Sequence, residues 1–179
     1  MASTRGQGKF EITLEPLALK NLIATLNMMD KETQARVRDL AQPLSARLAG
    51  QLMQAADSSP TPQAKLVALS ISTPRDRLIR VDVGGSKKVG RKYGGVASKS
   101  GKGSKVKMDA APAGALLWGS EHGSEPGLDS IGRNYTNRFK VGRNARGYWI
   151  TPTVDDYAPI VSAEYISMVK GIINDLELN

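Results

Sequence analysis

The chain is 179 residues long, the size of one ordinary domain with a single core, and it carries a formal charge of +8. It has no cysteine and one histidine, His122, which excludes disulfides, thiolate metal sites, cysteine nucleophiles and clusters of imidazole ligands. Phe and Trp number two each beside plentiful Leu, Ile, Val and Ala, so a helix-rich, aliphatic body is expected, without aromatic stacking platforms.

Residues 1–9 hold charges and glycines where a secretion signal needs an apolar run, and they are expected to be flexible. No stretch reaches the roughly 18 apolar residues of a membrane helix, so a soluble protein of a reducing cytosol is expected. Phe10, Ile12 and Leu14 alternate with polar residues, the period of a half-buried strand, until Pro16 ends the pattern. Between Leu17 and Met29, Leu19, Leu22, Ile23 and Leu26 recur at helical spacing. Asp30 then stands where an N-cap belongs, with Glu32 near the positive end of a second helix. That helix is expected to run to Ala56, burying Val37, Leu40, Leu44, Leu48, Leu52 and Ala55 along one stripe. Pro43 lacks an amide hydrogen and crowds the preceding turn, which predicts a kink or break near Gln42. Ser58 to Pro62 is a stop by composition, Gln63 to Ile71 is expected as a short third helix, and Pro74 closes it.

Arg77 to Val83 alternates again, and Gly84-Gly85 marks the strand's end. Residues 86–112 follow, Gly-, Ser- and Lys-rich from Ser86 to Lys107. Burial there cannot offset ordering entropy, so a flexible arm that orders on contact is expected. Ala115 to Trp118 reads as a strand, and Phe139 to Val141 and Tyr148 to Ile150 as a further pair around the turn-prone Gly142 to Gly147. Thr151 or Thr153 caps the last helix, Pro152 suits its first turn, and Asp155 and Asp156 suit its positive end. Its stripe is Val154, Tyr157, Val161, Tyr165, Met168, Ile172 and Leu176, with an early bend at Pro159. The expected fold is one α+β domain over residues 1–179. N-terminal helices and a long C-terminal helix pack on a small, mostly antiparallel sheet, and a long basic flexible arm projects from it.

The location of the charge says more than its size. Between Asp82 and Asp109 stand Lys87, Lys88, Arg91, Lys92, Lys99, Lys102, Lys105 and Lys107 with no acid among them. From Ser130 to Val154, Arg133, Arg138, Lys140, Arg143 and Arg146 precede any acid, and the remainder of the chain is acidic on balance. A phosphate-binding loop does not fit the arm: five residues separate Gly95 from Gly101 instead of four, and Gly103 stands where Ser or Thr would bind magnesium. Three readings of the arm stay open: counterion-releasing contact with DNA backbone, attraction to an acidic neighbouring subunit, or a solvated loop without a ligand.

Nothing in the sequence assembles a catalytic group. Glu121 and His122 are adjacent, which on a strand points them to opposite faces, and no serine sits with His and Asp in a nucleophile setting. The expectation is therefore no enzyme, no cofactor and no metal. Trp118 and Tyr148-Trp149-Ile150 read as core edges or as subunit contacts.

A strand ending Val81-Asp82-Val83-Gly84-Gly85, then Leu116-Leu117-Trp118-Gly119-Ser120-Glu121-His122-Gly123-Ser124, then Gly147-Tyr148-Trp149-Ile150-Thr151-Pro152-Thr153 before a final helix, form a recognisable order. Over residues 17–178 the chain resembles the head-to-tail connector and tail-completion proteins of long-tailed phages, the minor tail proteins of the neck. His122 stands where that family usually has an aromatic, and Pro60-Thr61-Pro62-Gln63 lacks its usual glycine. The resemblance implies a structural virion protein that forms a homo-oligomeric ring, about six or twelve copies, joining the DNA-filled head to the tail. It implies connector or portal-side and tail-terminator or tail-tube proteins as neighbours, and DNA in the channel as a non-specific one. Localisation would be the virion neck, and the host cytoplasm during assembly. On this reading Trp118, Glu121, His122, Tyr148, Trp149 and Arg138 are candidates for contacts between subunits, and the eight cations of the arm face DNA or an acidic partner. The alternative is a stand-alone nucleic-acid-binding protein that grips through the Lys-rich arm.

Overall fold

A computed structural model describes residues 8–14, 31–93, 109–128, 134–135 and 139–177. The expected helix from Leu17 to Met29, the Asp30 cap, Arg138, and the arm residues Lys99, Lys102, Lys105 and Lys107 lie outside the described residues.

Strand β1 (Lys9–Leu14) pairs antiparallel with β2 (Ile79–Gly84), placing Ile12 opposite Val81 and Glu11 opposite Asp82. Alternation sorts the two faces. Ile12, Ile79, Val81 and Val83 turn inward and are buried, while Lys9, Glu11, Arg80 and Asp82 line the outer face. Lys9 is thus part of the ladder and not of a flexible terminus.

Helix α1 (Lys31–Ser58) covers the inner face, burying Val37, Ala41, Leu44, Leu48 and Leu52 at helical spacing. Leu48 and Leu52 are sealed completely, a contribution of about 2 kcal/mol each. The predicted break near Gln42 does not occur. Pro43 sits in an exposed position of an unbroken helix, and Gln42 Nε2 donates to Thr73 O and Oγ1 at 3.2 Å. Leu40 and Ala55 are only half-buried, and Ala41 and Ala56 take the sealed positions.

Helix α2 (Ala64–Ala68) is shorter than predicted because Ser70 turns the chain, its Oγ donating to Val67 O and accepting from Gly84 N–H. Ser72 then exchanges both backbone hydrogen bonds with Asp82.

Where a flexible arm was expected, its two ends pair. Strand β3 (Lys88–Tyr93) runs antiparallel to β4 (Asp109–Pro112), with Lys88 opposite Pro112 and Tyr93 opposite Asp109. Backbone pairing, which needs no large side chains, supplies the order that composition alone did not foresee.

The next two expectations are corrected as well. Ala115 to Trp118 is not a strand but part of helix α3 (Ala113–His122), which starts at the extended Pro112 and buries Ala113, Leu117, Ser120 and Glu121. A four-residue apolar run carries no period that separates strand from helix. Phe139 to Val141 and Tyr148 to Ile150 form no strand pair either: the chain from 139 to 149 turns back onto the end of α3. A short ladder of β5 (Gly127–Leu128) and β6 (Asn134–Tyr135) lies between.

Helix α4 (Ile150–Glu177) begins one residue before the predicted caps and passes Pro159 without interruption. It packs mainly along α1, the helix that covers β2. Its inward positions are Val161, Tyr165, Val169 and Ile172, with Val154 and Tyr157 half-buried; Val169 holds the place predicted for Met168, which faces solvent. The fold is α+β, with a long C-terminal helix and, among the described residues, three separate two-stranded antiparallel ladders in place of one sheet. One core cluster joins α1, α2, α3 and α4 to the β1–β2 ladder.

Candidate assembly interface

The residues from Gly119 to Ser124 and those from Val141 to Thr151 form one clasp. Asn144 N–H donates to His122 O, Tyr148 N–H to Glu121 O, and Ser124 N–H to Val141 O. The Glu121 side chain then closes it: its Oε2 accepts from Trp149 N–H at 3.2 Å and Ile150 N–H at 2.8 Å, and its Oε1 from Thr151 N–H at 2.8 Å. These are the donors that the first turn of α4 cannot pair within the helix, and a carboxylate at the positive helix end is favoured electrostatically. Thr61 Oγ1 donates to Ser120 O at 2.7 Å, tying the turn before α2 to α3.

This arrangement redistributes the candidate residues. Glu121 is 2% exposed and Trp149 1% exposed, so both are spent inside the chain and neither is a subunit contact. The reason is geometric: α3 turns Glu121 inward to cap α4, and Trp149 enters the core just before that cap. Tyr148 is half-buried, with its hydroxyl donating to Gly142 O at 2.9 Å.

Trp118, in contrast, is 67% exposed. Its ring lies 4.2 Å from that of His122 at an interplanar angle of 43°. His122 Nδ1 sits 2.9 Å from Asn144 O, a pure acceptor, so that nitrogen carries a proton. The indole stands between two shallow cavities. One, of about 150 Å³, is mostly apolar, lined by Phe10, Leu117 and Trp118, with Lys9, Glu121 and His122 also in its wall. The other, about 480 Å³, has Phe139 and Pro126 in its wall and Arg143 and Glu125 on its rim.

The described part of the basic arm leaves from the other end of α3. Ala113 N–H donates to Lys87 O, Lys87 Nζ reaches Leu69 O, and Lys88, Arg91 and Lys92 belong to β3. Trp118 therefore has basic segments on both sides along the chain, the hairpin leg before it and Lys140, Arg143 and Arg146 after it.

Charge elsewhere is absorbed locally. Asp82 receives Lys9 Nζ at 2.8 Å and Arg80 Nε at 3.2 Å. Burial pushes its carboxyl up, but the hydrogen bonds from Lys9 and Arg80 outweigh this and hold it below the usual carboxylate range. Arg80 is held more firmly charged by its hydrogen bond to Asp82, against a smaller opposing effect of desolvation. Among the described residues, no three His, Asp or Glu side chains are grouped to share a metal ion, and no helix is long and apolar enough to cross a membrane.

Residue patterns missed several exposed apolar side chains: Phe10, Leu69, Ile160 and Met168. For Ile160 the signal was present, since it falls off the predicted Val154–Tyr157–Val161 stripe and so faces away from the core. Comparison of the chain with protein-family models, curated proteins and solved structures finds no match.

Proposed function

We propose that the chain is a structural subunit of a phage neck, assembling as a ring that joins the DNA-filled head to the tail. The observation that carries this reading is Trp118: a large aromatic exposed on a helix that the Glu121 cap locks to α4. An anchor held rigidly before contact loses little side-chain freedom on binding, which is the property of interface hot spots. Two of the three segments that carry the family resemblance, residues 116–124 and 147–153, are the two halves of the clasp that holds this anchor. The basic hairpin supports the same reading, as a projection suited to the channel DNA or to an acidic neighbour on the portal or tail side. Glu121 and His122 have structural tasks, which supports a role without catalysis.

The test is immunogold electron microscopy of particles carrying the chain, together with a Trp118→Asp change in the viral genome. Label at the head–tail junction and accumulation of separate heads and tails are expected. Label elsewhere, or normal particles that lack the chain, would overturn the proposal. Salt-sensitive DNA binding by the purified monomer, with particles unaffected by arm neutralisation, would favour the nucleic-acid-binding alternative.

A further inference from the structure

The two edges of the β1–β2 ladder are finished differently. On the β2 side each outward donor has its own acceptor: Arg80 N–H donates to Ser45 Oγ at 3.1 Å, Asp82 N–H to Ser72 O at 2.9 Å and Gly84 N–H to Ser70 Oγ at 2.8 Å. Hydrogen-bonded and non-bonded pairs alternate along an antiparallel ladder. Asp82 spends both its N–H and its C=O on Ser72, so its pair with Glu11 is a non-bonded one. Phe10, Ile12 and Leu14 therefore bond to β2, as Gly8 bonds to Gly85, and the N–H and C=O groups of Lys9, Glu11 and Thr13 point the other way. Among the described residues no backbone partner meets them, and all three residues are exposed. Between them stands Phe10, on the inward side with Ile12 yet 41% exposed. A regular strand with an open row of donors and acceptors is a template for another strand. The β3–β4 ladder offers no comparable row, because its register shifts between Lys88 and Lys92 and it ends at Pro112, which has no N–H.

We infer that β1 pairs antiparallel with β1 of a second copy across a two-fold axis, joining two two-stranded ladders into one four-stranded sheet. The outward residues of the two strands must face one another, so within the strand the axis passes Phe10, Glu11 or Ile12. At Glu11 it would set two carboxylates directly opposite, which is unfavourable. At Ile12 it would gain nothing on the inner side, where Ile12 is already buried, and would leave Phe10 at the end of the overlap. At Phe10 it sets the two exposed rings against each other in a non-bonded pair, the kind in which side chains lie closest. Lys9 then lies opposite the partner's Glu11. Within each copy Lys9 is held by Asp82 at 2.8 Å and Glu11 by Arg80 at 3.0 Å, so the outer faces meet already compensated. The pairing rests on backbone hydrogen bonds and on the Phe10 rings. A second copy is selected because one strand supplies both halves: an open edge of the same alternation, with an exposed aromatic at the point of symmetry. The contact goes beyond the ring contact proposed for Trp118 and rests on neither the ring nor the neck.

The test uses the purified full chain. Sedimentation over a range of concentrations is expected to show a reversible monomer–dimer equilibrium. Amide exchange should find Lys9, Glu11 and Thr13 protected in the dimer and not in the monomer, with Phe10 and Ile12 protected in both. Glu11→Pro removes an outward N–H and no bond to β2, at a place where an edge strand accepts proline. It is expected to weaken dimerisation about tenfold or more, through one lost bond from each copy, while Glu11→Gln leaves it within about twofold. The chain has no cysteine, so Lys9→Cys mixed with Glu11→Cys reports the register. The two positions lie opposite each other with Cα atoms about 5.5 Å apart, within reach of a disulfide. A mixed disulfide dimer is expected on mild oxidation, with little from either variant alone. A chain that stays monomeric throughout would overturn the inference, as would outward amides already protected in the monomer. Association with those amides still exchanging freely would place the contact elsewhere and overturn it too. A Glu11→Cys chain that links to itself would move the axis and overturn the Phe10 pairing. None of these measurements involves a particle, so pairing of the purified chain and immunogold at the neck succeed or fail separately.

Discussion

A Cβ on Gly147 would stand 1.9 Å from Glu121 Oε1, so the carboxylate that caps α4 occupies the space a side chain at Gly147 would need. Gly147 also has φ +87, a backbone region unfavourable to other residues. Position 147 is therefore constrained twice, by conformation and by the cap. Gly147→Ala is expected to expel the carboxylate and destabilise the fold by about 3 kcal/mol or more. Glu121→Ala is expected to cost about the same by orphaning two buried and one part-buried N–H group, and Glu121→Gln less, because one acceptor oxygen remains. Urea denaturation checks the ranking. Amide exchange at Trp149, Ile150 and Thr151 should accelerate selectively in Glu121→Ala.

The second glycine of the clasp fails differently. A Cβ on Gly119 would meet the Phe139 ring at 2.1 Å, with no positive φ involved. Gly119→Ala is therefore an overpacking change, expected to cost about 1 to 3 kcal/mol. Combining it with Phe139→Leu should recover part of the loss. A double variant no more stable than Gly119→Ala alone would show that the ring does not set the limit.

Much of the fold was legible because long periodic stripes decide it. The stripe of Val37, Leu44, Leu48 and Leu52, the alternation of Val81 and Val83, and the C-terminal helix all appear where the residue pattern placed them. The errors fall where backbone bonds, and not side-chain periodicity, set the structure. The β3–β4 legs are held by pairing across a long insertion, and the chain from 139 to 149 by hydrogen bonds to the end of α3. Ala115 to Trp118 was too short a run to show its period. The candidate site divides the same way: Trp118 is exposed as an anchor must be, whereas Glu121 and Trp149 are drawn inside by a cap formed between residues 28 to 30 positions apart. No local pattern marks a cap that comes from another helix, since the usual signal is a Ser, Thr, Asp or Asn immediately before the helix.

Tyr165 gives the fold an alkaline signature. Its hydroxyl donates to Arg77 O, and burial pushes its pKa from 10.0 up to about 12, with Arg77 opposing and Asp76 adding slightly. Below pH 10 the phenol is neutral in both folded and unfolded chains and contributes no pH dependence. Between pH 10 and about 12 the unfolded chain loses the proton and the folded chain keeps it, so stability falls as pH rises, and the dependence ends above the folded value. Tyr165→Phe should be less stable by about 1 kcal/mol at neutral pH, yet show a shallower decline across that window. Urea midpoints of the two proteins from pH 7 to 12 provide the comparison, and parallel curves would contradict the assignment.

The two tryptophans separate spectroscopically because one is sealed and the other is not: Trp149 is 1% exposed and Trp118 67%. Acrylamide should quench one component of the emission strongly and leave the other nearly untouched, and Trp118→Phe should remove the quenchable component. Because Trp118 makes little contact with the core, that substitution is expected to change stability by no more than about 0.5 kcal/mol. Trp149→Phe, in contrast, should cost more than that, since it opens space beside the α4 cap. If copies dock through Trp118, the indole also becomes shielded as they associate, so its quenching should fall with rising protein concentration while that of Trp149 stays constant. A folded Trp118→Phe chain that still assembles at the concentration of the parent would show that the indole is not the anchor. A chain that folds normally but no longer assembles would separate the role of α3 in the core, through Leu117 and Glu121, from its role at the surface through Trp118.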